Sequence, residues 1–151
     1  MPGLARASAL LWLFAAACSS PQASAPAPQV APANLDVDAA AARAAVSSFL
    51  SLEARGSTDA DTLLVPGADF IMTGVKVTAR PRLAALNGPG DVVVEESSTG
   101  FAGSFAWVVV SYGFAGRTND LADRARATFV LEKQRAGWKI RHVHSSMVAR
   151  W

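Results

Sequence analysis

This chain lacks most of what advertises chemistry. It holds one cysteine, two histidines and one tyrosine in 151 residues. The lone cysteine, Cys18, precedes the folded part, so it cannot be the nucleophile of that domain, and no Ser-His-Asp pattern can be read. Excess charge is missing too. Fourteen basic side chains meet twelve acidic ones, and the basic ones are scattered, which leaves no electrostatic footprint for a nucleic-acid partner. No segment beyond the N-terminal leader is long enough to span a bilayer, and no internal repeat is visible. The 51% hydrophobic content owes much to alanine in the leader and first helix, so it is not membrane character. The length suits one small domain with a single core.

What is present begins with "MPGLARASALLWLFAAACSS": one positive charge, Arg6, then an apolar run from Ala7 to Ala17, then small residues. That is the layout of a secretory signal peptide over 1–17. Cys18, directly after Ala15-Ala16-Ala17, resembles the lipobox of bacterial lipoproteins, although Ala15 stands where the usual box has leucine. The resemblance implies a diacylglycerol on the Cys18 sulfur and an acylated amine after cleavage, with several acyl chains holding the protein to a membrane. The plainer alternative is ordinary cleavage after an Ala-x-Ala site, leaving an incidental thiol. Ser19 and Ser20 follow, with no aspartate beside the cysteine, and by Gram-negative sorting rules that favours the periplasmic face of the outer membrane. Residues 18–34 then read as a tether. "SSPQASAPAPQVAPAN" has no charge, cannot bury enough surface to fold, and in polyproline II form reaches up to about 50 Å.

The domain expected over 35–151 starts with a helix capped by Asn34 or Asp36 and running to Arg55. Ala42, Val46, Phe49 and Leu50 recur at helical spacing, Gly56 lies just beyond, and Arg43 and Glu53 are left wet. Ser57 or Thr58 caps a second, short helix that ends before Pro66-Gly67. "DFIMTG" reads as a strand, extendable through Val75 and Val77. Thr78 caps a third helix with Pro81 in its first turn and "LAALN" as its body. From there the period changes to two, and "DVVVEESST", "SFAWVVVSYGFAG", "RARATFVLEK" and "GWKIRHVHSSMV" read as four strands. The class is α+β, with helices covering one face of a meandering sheet.

A hairpin about "QRAG" sets Lys133 opposite Trp138, Leu131 opposite Ile140, Phe129 opposite His142 and Ala127 opposite His144. With unbroken alternation, Trp138, Ile140, His142, His144 and Ser146 share the inner face with Phe129. Bulky residues at the hairpin end then give way to alanines facing histidines, which is how a dry-floored pocket with a few polar groups is built. A β-bulge between Trp138 and His144 would reverse the later assignments. Tyr112 joins this set as a neighbour able to orient His144, the candidate general base. His142 and His144 could also chelate a metal, but no third ligand stands at recognisable spacing, so no metal and no cofactor are expected.

"RATFVLEKQRAGWKIRHVHSS", Arg126 to Ser146, resembles the closing hairpin of SnoaL-like domains of the nuclear transport factor 2-like superfamily, with Arg-x-Thr, a turn, then Gly-x-x-hydrophobic-x-His-x-His-x-Ser. The resemblance implies a cone-like, highly curved antiparallel sheet wrapped around N-terminal helices, a cystatin-like shape with a pocket in the cone, often dimeric through the outer sheet face. Such folds host isomerases, dehydratases, cyclases and members without known catalysis. No acid here occupies a family catalytic position: Asp69 reads as a turn residue, and Glu95 and Glu96 point to opposite faces. The expectation is a non-catalytic module that binds a small apolar ligand or assembles as a homodimer. The rival is a periplasmic isomerase or lyase working at His144, and a third course is recognition of a protein or envelope polymer by the outer face.

Overall fold

A computed structural model describes residues 34–86, 91–115 and 124–148. The leader, Cys18 and the tether lie outside the described residues. Helix α1 spans Leu35–Ala54 and buries Ala42, Val46, Phe49, Leu50 and Glu53 along one stripe. Asn34 stands at its N-cap without a side-chain bond. At the other end Gly56, at φ 67°, closes the helix with Gly56 N–H donating to Glu53 O and Ser57 N–H to Leu52 O. That paired closure needs a residue comfortable in the left-handed region, which is why glycine stands there. The short second helix forms as a 3-10 turn, Thr58–Leu63, with the Ser57 hydroxyl accepting from Asp59 N–H at 3.2 Å.

Six strands follow: β1 Leu64–Met72, β2 Val75–Lys76, β3 Asp91–Ala102, β4 Phe105–Ala115, β5 Arg124–Gln134 and β6 Gly137–Met147. Their order in the sheet is β2-β1-β6-β5-β4-β3. β3 to β6 form an antiparallel meander, and β1 returns parallel to β6. The expected strand at "DFIMTG" starts earlier than its motif. It passes Pro66 and Gly67 because residues 65–68 have no partner between the pairs Leu64–Ile140 and Asp69–His142. A strand tolerates proline where the ladder is already interrupted.

The third helix does not form. Thr78 to Leu86 is irregular, and Arg82, Leu83, Ala84, Ala85 and Leu86 are all buried. A helix there would need a wet face, and this run has none. The segment instead enters the concave side of the sheet and spends its polar groups on side chains of other elements. Among the described residues one α-helix, rather than several, therefore covers the sheet. Phe49 joins the layers, stacking on Phe70 at 5.8 Å and meeting Phe129 edge-on at 6.2 Å. Complete burial of such a ring stabilises by about 1.5–3 kcal/mol. No described helix is long and apolar enough to cross a membrane.

Candidate functional site

The closing hairpin begins in the expected register, with Lys133 opposite Trp138 and Leu131 opposite Ile140. It then slips. Val130 faces His142, Phe129 faces Val143, Thr128 faces His144 and Ala127 faces Ser145, with the irregularity between Val130 and Leu131. Arg141 is the extra residue, and one extra residue exchanges the faces of everything after it. The expected pairs Phe129–His142 and Ala127–His144 are thus replaced. Trp138, Ile140, Val143 and Ser145 are buried on the inner face, and His142 and Ser146 are half-buried on the outer one. His144 is exposed there. The arrangement of both imidazoles with the indole in one chamber does not occur. Phe129, Ile140 and Tyr112 do line the interior, fully buried. An apolar signal for the slip was available: Trp138, Ile140 and Val143 are spaced by two and then by three.

Among the described residues, the interior where a ligand was expected takes in the segment around Ala84. Tyr112 Oη donates to Ala84 O at 2.6 Å and lies 2.7 Å from Ser145 Oγ, which accepts from Ala84 N–H at 3.3 Å. Leu83, Ala84, Ala85 and Leu86 join one core with Val108, Phe129, Leu131 and Val143. Burial pushes the Tyr112 phenol well above its usual range, against the lowering effect of its bond with Ser145. It is therefore a neutral structural hydroxyl, and it is not available to orient His144. His144 has no hydrogen bond or ion pair to a carboxylate among the described residues, and no three metal-ligating side chains converge among them.

The polar centre that was missed lies at the C-terminal end of α1. Glu53 was expected in water, yet its side chain is wholly buried. Its Oε1 accepts from Arg82 N–H at 3.0 Å and Arg82 Nε at 3.1 Å, and its Oε2 from Arg82 Nη2 at 2.8 Å and Arg80 Nη1 at 2.9 Å. Asp61 Oδ1 bridges the same two guanidiniums at 2.9 and 2.8 Å. Burial works against the charge on Arg82, but the bonds and charges of Glu53 and Asp61 outweigh it and raise its pKa. The Arg82 hydrogen bond leads the causes that hold Asp61 below the usual carboxylate range. Arg82 also lies over Phe70 at 4.7 Å and Phe49 at 5.6 Å, so its flat faces are covered by rings. Position did signal this role, since Glu53 stands four residues from Phe49 and three from Leu50, on the apolar stripe.

The outer face carries its own pattern. Gly100, Trp107, Val130, His142 and Asp69 form one row across five strands, and Ser98, Val109, Thr128, His144 and Ile71 form the next. A Cβ on Gly100 would meet the Trp107 indole at 2.2 Å, so the ring lies against bare backbone. Trp107 remains 44% exposed, beside Phe105 at 40%. Exposed aromatics on a sheet face, here on the strand next to the β3 edge, mark a surface for association.

One α-helix on a curved six-stranded sheet defines an α+β protein of the cystatin-like kind. The family model of the SnoaL-like domain matches residues 30–150, and the chain belongs to that family. No curated protein sequence matches it. Among solved structures it is similar to a protein of Shewanella frigidimarina provisionally named a ketosteroid isomerase, with 22% identity, 70% of this chain and 94% of that one covered, and a TM-score of 0.54. A protein of Streptomyces avermitilis, provisionally named a dehydratase of the NTF2-like family, gives 16%, 77%, 99% and 0.57. The CaMKII hub of S. rosetta gives 23%, 73%, 96% and 0.53. At these identities the likeness carries the fold and no activity.

Proposed function

We propose that this SnoaL-like domain is an assembly module without catalysis, exported on the 1–17 leader and anchored through lipid on Cys18 at the periplasmic face of the outer membrane. The 18–34 tether holds it off that surface. The observation that carries the non-catalytic reading is the interior. Its described hydroxyls, Tyr112 and Ser145, are spent on Ala84, and Leu83 to Leu86 are packed into the core beside them. The rival reading needs His144 in a chamber with an orienting acid. Its exposure on the outer face speaks against that reading.

Assembly proceeds by homodimerisation through the outer sheet face, with Trp107 and Phe105 as central anchors. A two-fold contact uses the same patch on both copies, and a flat indole on a sheet suits such self-complementary packing. Light scattering on the mature protein with Trp107→Lys tests this. The wild-type chain is expected as a dimer and the variant as a folded monomer; a wild-type monomer would refute the dimer. Intact mass measured on protein extracted from its native membrane tests the anchor, with acyl mass on Cys18 expected and an unmodified soluble chain contradicting it.

A further inference from the structure

A groove opens at the β1 edge of the sheet, away from the exposed aromatics of β4. It encloses about 580 Å³ between the interrupted stretch of β1 and residues 76–78, with Arg82 in its lining. Its apolar walls include Val65, Pro66, Phe70 and Val77. Its charged groups come as two pairs of opposite sign. Asp61 is paired with Arg82 at 2.8 Å, and Asp69 with Lys76 at 2.5 Å. Arg82 spends Nε and Nη2 on Glu53 and Asp61, which leaves its Nη1 edge without a partner among the described residues. About half of the Asp61 side chain and half of the Asp69 side chain are exposed.

That charge pattern selects among ligand classes. A simple anion meets Asp61 and Asp69, a simple cation meets Arg82 and Lys76, and a neutral apolar molecule strips water from four charges without replacing it. A molecule carrying both signs around an apolar body satisfies all of them. We infer that this groove is a binding site for a zwitterion with an apolar body, an apolar α-amino acid, whose carboxylate meets Arg82 and Lys76 and whose ammonium meets Asp61 and Asp69. The test below reads ligand binding and not association or acylation, so its failure is distinguishable from failure of the dimer or of the anchor.

The test is calorimetric titration of the full chain with L-leucine, with 4-methylpentanoate, which lacks the ammonium, and with 3-methylbutylamine, which lacks the carboxylate. Leucine is expected to bind one per chain and each single-charge analogue at least tenfold more weakly. Asp69→Asn should weaken leucine at least fivefold with an unchanged melting temperature, because an exposed ion pair contributes little to folding. Ala68→Trp, which fills the groove, should abolish binding, and if that variant does not fold, Lys76→Gln joins Asp69→Asn to decide the matter. No leucine binding overturns the inference. So do equal affinity for 4-methylpentanoate, which marks a plain anion site, and leucine binding that the groove variants leave intact.

Discussion

His144 lies opposite Thr128, not opposite Ala127. That single step of register separates a domain with two imidazoles in its interior from one that shows them to its surroundings. It follows from one unpartnered residue, Arg141, whose guanidinium pairs with Glu132 on the outer face. The interior is then completed by Val143 and Ser145, which suit a closed core.

Replacing Tyr112 by phenylalanine should test that closure. The change removes the donor to Ala84 O and the partner of Ser145 Oγ. Leaving a buried acceptor unpaired costs about 1–3 kcal/mol. Urea denaturation should show a midpoint lowered accordingly with an unchanged slope, since the surface exposed on unfolding is the same. An unchanged midpoint would mean that residues 82–86 are not held by this hydroxyl.

Glu53→Ala should be more damaging. Two arginines lose the buried one of their two shared carboxylates and keep only Asp61, and breaking a buried ion pair by removing one partner costs about 3–5 kcal/mol. Denaturation midpoints of the two chains give the comparison. A loss below 1 kcal/mol would show that Asp61 and water satisfy Arg80 and Arg82 without Glu53.

Much of this architecture was legible in the sequence. The stripe Ala42, Val46, Phe49, Leu50 and the closing Gly56 place α1 almost to the residue, and the turn before Gly137 fixes the hairpin through Leu131 and Ile140. The bulge was not legible from alternation alone, because both parities of "RHVHSS" leave a plausible face. Only the change from two to three in the spacing of Trp138, Ile140 and Val143 favours the observed one. The run after Thr78 failed for a different reason. "LAALN" has helical propensity, but tertiary contacts of Ala84 with Tyr112 and Ser145 override it. Glu53 lies inside because its position on the apolar stripe, with Arg80 and Arg82 to meet it, prevails over its charge.

Acid should weaken the fold through Asp61. Its carboxyl is held low, chiefly by the Arg82 hydrogen bond, so its contribution is complete above the unfolded value near 3.9 and is lost as pH falls through the lower folded value. Thermal melting between about pH 6 and 2 should show a fall that begins below about pH 4. Asp61→Asn should make that fall shallower, and an identical profile in the variant would assign the acid sensitivity to other carboxylates.

Gly100→Ala separates the outer face from the core. The new methyl would occupy the place of the Trp107 indole, at 2.2 Å from its ring, so the ring must swing away. The core lies on the other side of the sheet, and the fold should persist. Dimer dissociation measured by sedimentation should strengthen at least tenfold if Trp107 anchors the contact. Unaltered association would move the interface elsewhere.

The central claim is the direction of the two imidazoles, and nuclear Overhauser contacts from the His144 ring protons measure it directly, whether or not the chain dimerises. Contacts to the methyls of Thr128 and Val109 are predicted. Contacts to the Ala127 methyl and the Phe129 ring would place His144 inside the cone and contradict the account.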